Sequence, residues 1–119
     1  MSWTIELYET ASGNQPVADF IASLKPREQA KIARAFDLLE EFGPGIGRPW
    51  VKRLSGKEGL WALRVPFGGQ AFRFLFFKHG NTIVVVHGFS KKSAKIPQKE
   101  LHTAIKRMKD YKARRSETK

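Results

Sequence analysis

The sequence predicts an α+β fold, a twisted antiparallel sheet with an N-terminal helical hairpin on one face and a C-terminal helix. Hydrophobic residues recur with helical spacing before residue 43 and after residue 97, whereas between residues 51 and 89 they alternate with a period of two. The chain has 119 residues, which suits one domain with one hydrophobic core. We assign residues 1–111 to that domain and residues 112–119 to a basic, flexible tail.

Proline and glycine mark the boundaries of the N-terminal elements. Trp3–Glu9 alternates apolar and polar residues and is predicted to be a strand. Pro16 starts a first helix, and a second begins at Lys25-Pro26 and ends near Phe42, before Gly43. The apolar stripe of the second helix consists of Ile32, Ala35, Phe36, Leu39 and Phe42.

Four further strands and one helix follow a glycine-rich loop. The strands are predicted at Val51–Ser55, Gly59–Pro66, Ala71–Lys78 and Thr82–Phe89. Turns are expected at Gly56, at Gly68-Gly69 and near Gly80-Asn81. Pro97 opens a last helix that reaches about Tyr111.

Charge is distributed unevenly along the chain. The formal net charge is +11, from 22 Lys+Arg against 11 Asp+Glu. Residues 1–50 carry five basic and seven acidic side chains, a net of −2, and residues 51–119 carry 17 and four, a net of +13. A half-chain this basic indicates a polyanionic partner, and nucleic acid is the default candidate.

The composition also excludes several classes of site. The absence of cysteine rules out disulfides, thiolate zinc ligands and a cysteine nucleophile. His79, His87 and His102 lack the spacing of metal ligands, so we expect neither a metal nor a cofactor. The first ten residues lack the basic start of a signal peptide, and the longest purely apolar runs are four residues. We therefore expect a cytoplasmic protein without membrane association.

Two arginines are predicted to face each other on neighbouring strands. A two-residue turn at Gly68-Gly69, or a four-residue loop around it, places Arg64 opposite Arg73 with Cβ atoms about 5 Å apart. Opposed like charges are destabilising, and two converging guanidiniums suit a phosphate group. The alternative is that each arginine pairs with a carboxylate from elsewhere in the chain.

The alternation assigns the two faces of this sheet. Leu63 and Phe74 belong to an aromatic core under the N-terminal helices, so the arginines point to a second, less covered face. Turns of even length near Gly80-Asn81 place Gly88 beside the arginines and His87 in the aromatic core. In the core, His87 is expected to be structural, and Gly88 would leave room for a ligand.

Two basic segments, Val51–Gly59 and Ser90–Lys95, flank the predicted sheet. Lysines in these segments suit binding of the RNA backbone because they supply point charge. Lys57, Lys91 and Lys92 are candidates for a catalytic role beside Arg64 and Arg73. The candidate RNA-binding residues are Lys52, Arg53 and Lys95. The alternative for Lys91 and Lys92 is a solvated turn.

Three segments, Lys52–Arg64, Gly69–Arg73 and His87–Pro97, make the chain resemble the HigB branch of the RelE/ParE toxin superfamily. The resemblance implies a RelE/ParE-like fold and a toxin of a type II toxin–antitoxin pair. It implies an endoribonuclease that enters the ribosomal A site and cuts mRNA without a metal, by attack of the 2′-hydroxyl on the adjacent phosphate. It also implies a HigA-like helix-turn-helix antitoxin as partner.

The resemblance also implies roles for individual residues. Arg64 and Arg73 match the arginines that clamp the scissile phosphate, and Lys91, Lys92 or Lys57 would transfer a proton or stabilise charge. Some RelE-type enzymes have a tyrosine shortly after the last strand, where this chain has Phe89 and lysines. The general base is therefore not assigned.

Two other functions are compatible with the same residues. A ParE-like toxin would bind a protein target such as gyrase without chemistry. A plain nucleic-acid-binding protein would bind with steep salt dependence and would not cleave.

Overall fold

A computed structural model describes residues 2–54, 56, 59–91 and 95–117. Helices α1, α2 and α3 span Pro16–Ala22, Pro26–Phe42 and Gln98–Glu117, and a 3-10 turn spans Gly43–Ile46. The strands are β1 (Thr4–Leu7), β2 (Val51–Arg53), β3 (Trp61–Phe67), β4 (Gln70–His79) and β5 (Thr82–Lys91).

The predicted α+β class is confirmed, and the five strands form one sheet in the order β1-β5-β4-β3-β2. The strands from β2 to β5 pair antiparallel, as expected for a meander. The sheet is nevertheless mixed, because β1 pairs parallel to β5 at its edge. The long segment between β1 and β5, which contains both N-terminal helices, makes that parallel connection possible.

One face of the sheet packs against α1 and α2, and we call it the hairpin face. Its core contains Val17, Ile32 and Leu39 from the helices and Phe72, Phe74 and Phe76 from β4. The ring of Phe74 lies edge-to-face against Phe20 and Phe36, at centroid distances of 6.1 and 5.1 Å. The predicted aromatic core is thus confirmed, and it holds the helical hairpin on the sheet.

The other face packs against α3, and we call it the α3 face. Leu75, Phe77, Val84 and Val86 of the sheet form a second core cluster that includes Leu101, Ala104, Met108 and Tyr111 of α3. The second face was expected to be less covered, and α3 packs over the part of it that carries Leu75, Phe77, Val84 and Val86, while Arg64 on the same face is exposed. The covering helix was predicted, but the sequence did not show onto which face it folds.

Several boundaries differ from the prediction. Helix α3 continues from Tyr111 to Glu117, so residues 112–117 are helical where a flexible tail was expected. Arg114 bonds Asp110 one turn earlier in the helix, and Arg115 bonds Glu6 of β1, which extends the ordered helix. Phe42, assigned to the buried stripe of α2, is 53% exposed.

Candidate anion site on the α3 face

The two arginines lie opposite each other, as the turn at Gly68-Gly69 predicted. Strand pairing places Arg64 directly against Arg73, and the register runs without interruption from Trp61↔Phe76 to Phe67↔Gln70. Arg64 is exposed, whereas only 6% of Arg73 is accessible to solvent. The Arg73 guanidinium donates one long hydrogen bond, 3.5 Å, from Nη1 to the main-chain oxygen of Lys91. We refer to Arg64 and Arg73 as the arginine pair.

The positive charge of the arginine pair has no internal counter-charge among the described residues. Burial lowers the pKa of Arg73, and the neighbouring Arg64 charge lowers it further. None of the ion pairs formed by the described carboxylates involves either arginine. The alternative that each arginine pairs with a carboxylate is therefore not supported by the described part of the chain. Two guanidiniums held together in this way can bind one anion between them.

Strand register sorts the other predicted cations by face. Lys52 pairs with Ala62 and Lys91 pairs with Ala71, so both lie on the α3 face in rows next to the arginine pair. Arg53 pairs with Trp61, and the alternation places it on the hairpin face. Of the predicted RNA-binding residues in the described strands, Lys52 therefore shares a face with the arginine pair and Arg53 does not.

The remaining predicted cations lie outside the strands. Lys95 is exposed in the connection between β5 and α3, after the end of β5 that carries Lys91. Lys57 and Lys92 lie outside the described residues. Their candidate roles therefore stay predictions.

A β-bulge reverses the predicted orientation of the last part of β5. Leu75 pairs with His87 and Phe76 pairs with Val85, which leaves Val86 as the extra residue. His87 consequently lies on the α3 face, and Gly88 pairs with Phe74 on the hairpin face. The predicted positions of His87 and Gly88 were wrong, because one inserted residue exchanges the faces of every residue that follows it.

Gly88 is a packing position. A Cβ atom there would lie 2.8 and 2.9 Å from ring atoms of Phe74 and 3.1 Å from the ring of Phe20. The missing side chain therefore lets α1 approach the sheet, and it makes no space for a ligand beside the arginine pair.

His87 forms a hydrogen-bonded network with α3. Its Nε2 is 2.6 Å from Glu100 Oε1, and its Nδ1 is 3.2 Å from Arg107 Nη1. Because a guanidinium only donates, Nδ1 is the acceptor and Nε2 carries the hydrogen donated to Glu100. Both ring nitrogens are thus occupied by protein groups, which fits a structural role for His87.

Arg107 also stabilises the bulge. Its Nη1 donates to the main-chain oxygen of Val86, the extra residue, at 2.9 Å. The guanidinium is partly buried, and burial lowers the pKa of Arg107. Sequence reasoning missed Glu100 and Arg107. Their spacing of seven residues, which places them on one side of α3, was the only available signal.

The described part of the chain offers neither a metal-ligand cluster nor a membrane-spanning helix. Within residues 2–54, 56, 59–91 and 95–117, no group of three or more His, Asp or Glu side chains is placed to hold a metal ion. No described helix combines the length and the apolar character needed to cross a bilayer.

Fold and site together define a small basic α+β protein with two opposed arginines on one sheet face. Residues 19–109 match the family model described as Phage derived protein Gp49-like (DUF891). The match covers more than half of the chain, and the chain belongs to this family, a toxin-like family of toxin–antitoxin systems. The family implies an antitoxin partner. A comparison with curated proteins gave no match.

Proposed function

We propose that this protein is the toxin of a type II toxin–antitoxin pair and acts as a ribosome-dependent mRNA endoribonuclease. The observation that carries the proposal is the arginine pair: Arg73 is buried, Arg64 is exposed beside it, and no described carboxylate neutralises them. The resemblance to the HigB branch supports the substrate, mRNA in the ribosomal A site. It also supports a HigA-like helix-turn-helix protein as the antitoxin.

The proposed reaction is an internal transesterification of RNA. The 2′-oxygen forms a bond to the adjacent phosphorus, the bond from phosphorus to the 5′-oxygen breaks, and a 2′,3′-cyclic phosphate and a 5′-hydroxyl result. The proton leaves the 2′-hydroxyl to a base and returns to the 5′-oxygen from an acid. Negative charge accumulates on the phosphate oxygens in between, where preorganised positive groups lower the barrier.

The two arginines are assigned different parts of this step. Arg73 is held by the sheet, so its guanidinium stays in place as charge develops. Arg64 is exposed and can meet the incoming phosphate first. Lys91 and Lys52, on the same face, are proposed to contact neighbouring phosphates, and Lys57, Lys92 and Lys95 to do so from the loops.

The test is cleavage of an mRNA during translation by purified protein, with and without ribosomes. Wild type is compared with Arg73→Met, which keeps the length of the buried side chain, and with the double variant Arg64→Gln/Arg73→Met. Removal of one preorganised donor is expected to reduce cleavage by about 10²- to 10³-fold. Arg27→Gln is the matched control, because Arg27 is exposed on α2 away from the arginine pair.

Each outcome distinguishes one function. Cuts that need ribosomes and disappear in the double variant support the proposal. Growth arrest without any RNA cut contradicts it and favours a ParE-like toxin that binds a protein target. Salt-sensitive RNA binding without cleavage favours a plain nucleic-acid-binding protein.

A further inference from the structure

A pocket of about 240 Å³ lies at the end of the sheet where β3 begins. The register of β3 with β4 ends at Trp61↔Phe76, whereas β4 continues to His79. The last residues of β4 thus extend past the start of β3, and the pocket occupies this step. The described residues that line it are Arg53, Gly59, Trp61, Phe77, Lys78 and Lys112. We call it the lysine pocket.

The described lining of the lysine pocket carries positive charge. Arg53, Lys78 and Lys112 are exposed, and none of the described lining residues is a carboxylate. None of the ion pairs given by the described residues includes these three cations. Arg114, two residues further along α3, is by contrast bonded to Asp110. The charge of the lysine pocket is therefore available to an external anion.

Two aromatic rings hold the lysines of this pocket in position. The Nζ atom of Lys78 lies 5.2 Å from the centroid of the Trp61 ring, and the Nζ atom of Lys112 lies 5.3 Å from that of Phe77. A ring attracts an ammonium group through its π-electrons and leaves the N–H groups that point away from it free to donate. The two ammonium groups are thus partly ordered before an anion binds, which lowers the entropic cost of binding.

The side chains of the pocket suit a phosphate group attached to a nucleoside. The guanidinium fork of Arg53 and the point charges of Lys78 and Lys112 are groups that proteins use to bind phosphate oxygens. The half-buried ring of Trp61 adds an apolar wall, against which a sugar or a base can lie. A basic groove with an aromatic side chain is typical of proteins that bind single-stranded nucleic acid.

Lys52 lies between the lysine pocket and the arginine pair. It pairs with Ala62, so it is a diagonal neighbour of Arg64 across β2 and β3, with Cβ atoms about 7–8 Å apart. Trp61 precedes Arg64 by three residues, which is about 10 Å along the strand. About three nucleotides of a stacked strand, at about 3.4 Å each, cover that distance. Exposed cations therefore extend from one site toward the other within reach of a short RNA segment.

We propose that the lysine pocket is a second RNA-binding site, which holds a backbone phosphate about three nucleotides from the one at the arginine pair. Arg53, Lys78 and Lys112 bind the phosphate oxygens, and the Trp61 ring lies against the adjacent nucleoside. Two linked contacts on one strand reinforce each other, so the pocket adds affinity and positions the strand. Arg53, which does not share a face with the arginine pair, thereby contacts the same RNA. For the identity of that RNA as substrate, the inference rests on the proposed function.

The binding test uses a single-stranded RNA of about ten nucleotides, long enough to reach both sites. Its 2′-O-methyl groups replace the attacking hydroxyls, so it is not cut. Fluorescence anisotropy compares wild type with Lys78→Gln/Lys112→Gln, which is expected to bind about 10-fold more weakly at low ionic strength. The slope of log K against log salt concentration should become shallower by about 0.7 to 1.4, which corresponds to one or two lost phosphate contacts.

The matched control is Arg27→Gln/Lys31→Gln. It removes the same charge from exposed positions of α2 that do not line the lysine pocket. Its affinity is expected to stay within about 2-fold of wild type, because distant exposed charges are screened. Lys78→Arg/Lys112→Arg keeps both charges and should retain most of the affinity. Because the replaced lysines are exposed, the fold is expected to be preserved, which circular dichroism checks.

A second measurement locates the bound RNA. NMR follows the indole N–H of Trp61, with that of Trp3, next to β1 at the opposite edge of the sheet, as reference. The RNA is expected to shift the Trp61 signal and to leave the Trp3 signal in place. Inorganic phosphate and a poly-glutamate peptide, added separately, probe a free anion and an acidic protein segment. Each is expected to shift the Trp61 signal less than the RNA does.

Four results would overturn the inference. These are unchanged RNA affinity in Lys78→Gln/Lys112→Gln, including no binding by either protein; an equal loss in the control variant; a Trp61 signal that moves with inorganic phosphate and not with RNA; and one that moves most with poly-glutamate. The last two would assign the pocket to a free anion or to an acidic protein segment. Weaker RNA binding in the lysine variant, without mRNA cleavage by wild type, would leave the pocket standing and remove the nuclease. Cleavage by wild type with unchanged RNA binding in the lysine variant would do the reverse.

Discussion

The two faces of the sheet are made from alternate residues of the same strands, but they bury different chemistry. The hairpin face buries Phe72, Phe74 and Phe76, each at most 1% exposed, beneath apolar side chains of α1 and α2. The α3 face combines an apolar cluster with two polar residues: Arg73, which bonds the main chain of Lys91 in β5, and His87, which bonds Glu100 and Arg107 of α3. The difference indicates that the hairpin face provides much of the folding free energy, which offsets the cost of keeping two like charges together on the α3 face.

Phe74→Ala, on the hairpin face, is expected to have the largest effect on stability. It removes a fully buried ring that contacts Phe20 and Phe36, and we expect the free energy of unfolding to fall by about 3–5 kcal/mol. Urea denaturation measures this loss. Phe42→Ala, at an exposed aromatic position, is the control and is expected to change stability by about 0.5 kcal/mol or less. Similar losses for the two variants would contradict the assignment of the stabilising core.

Gly88→Ala tests the bulge that places this residue on the hairpin face. The added methyl group would lie under 3.0 Å from Phe74, so we expect a loss of about 1–3 kcal/mol in unfolding free energy. Gly69→Ala is the matched control, because a Cβ there meets nothing within 4 Å. Equal stability of the two variants in thermal denaturation would show that Gly88 does not pack on this face.

Glu100→Ala tests the polar network on the α3 face. It removes the acceptor for His87 Nε2, and the side chains of His87 and Glu100 are only 15% and 18% exposed. Because water replaces the lost acceptor poorly at a buried position, we expect the free energy of unfolding to fall by about 1–2 kcal/mol. Glu100→Gln retains an acceptor oxygen and should lose less. The proton on His87 Nε2, followed by NMR, should change its chemical shift in both variants. An unchanged signal would contradict the assigned tautomer.

Arg73→Met should have the smallest effect on stability. It relieves the repulsion from Arg64 and removes only a long hydrogen bond, so the free energy of unfolding should be unchanged or up to about 1 kcal/mol higher. Cleavage, by contrast, should fall about 10²-fold or more. Chemical denaturation measures the free energy of unfolding, and the translation assay on the same preparation measures mRNA cleavage. A large loss of stability would mean that Arg73 is a structural residue.

The sequence predicted those parts of the fold that depend on local pattern. The glycine turn between β3 and β4 determines the register in which Arg64 faces Arg73, so the sequence alone predicts the arginine pair. Alternation along β4 likewise identified the aromatic core. Both predictions depend on residues that are close in the sequence, within one strand or across one short turn, so an error in strand register is small.

The predictions that failed depend on tertiary structure. No residue type marks the bulge at Val86, and its cost is offset by Arg107, which lies 21 positions away in the chain. The same limit applies to α3, whose path over the sheet buries Leu75, Phe77 and Val84 on a face that the sequence did not assign to it. Phe42 fits the apolar period of α2 but is 53% exposed, because periodicity alone does not show how far the core extends along a helix.

The contacts between β1 and the end of α3 have a consequence for how the chain reaches its folded state. The Tyr8 hydroxyl donates to Asp110, and the Tyr111 hydroxyl donates to Glu6, across separations of 102 and 105 residues. Contacts this distant in sequence form late, because the intervening chain must be ordered first. During synthesis, these two hydrogen bonds can therefore form only after Asp110 and Tyr111 have been added to the chain. The two hydrogen bonds that join the end of α3 to Glu6 and Tyr8 are accordingly expected to be among the last contacts to form.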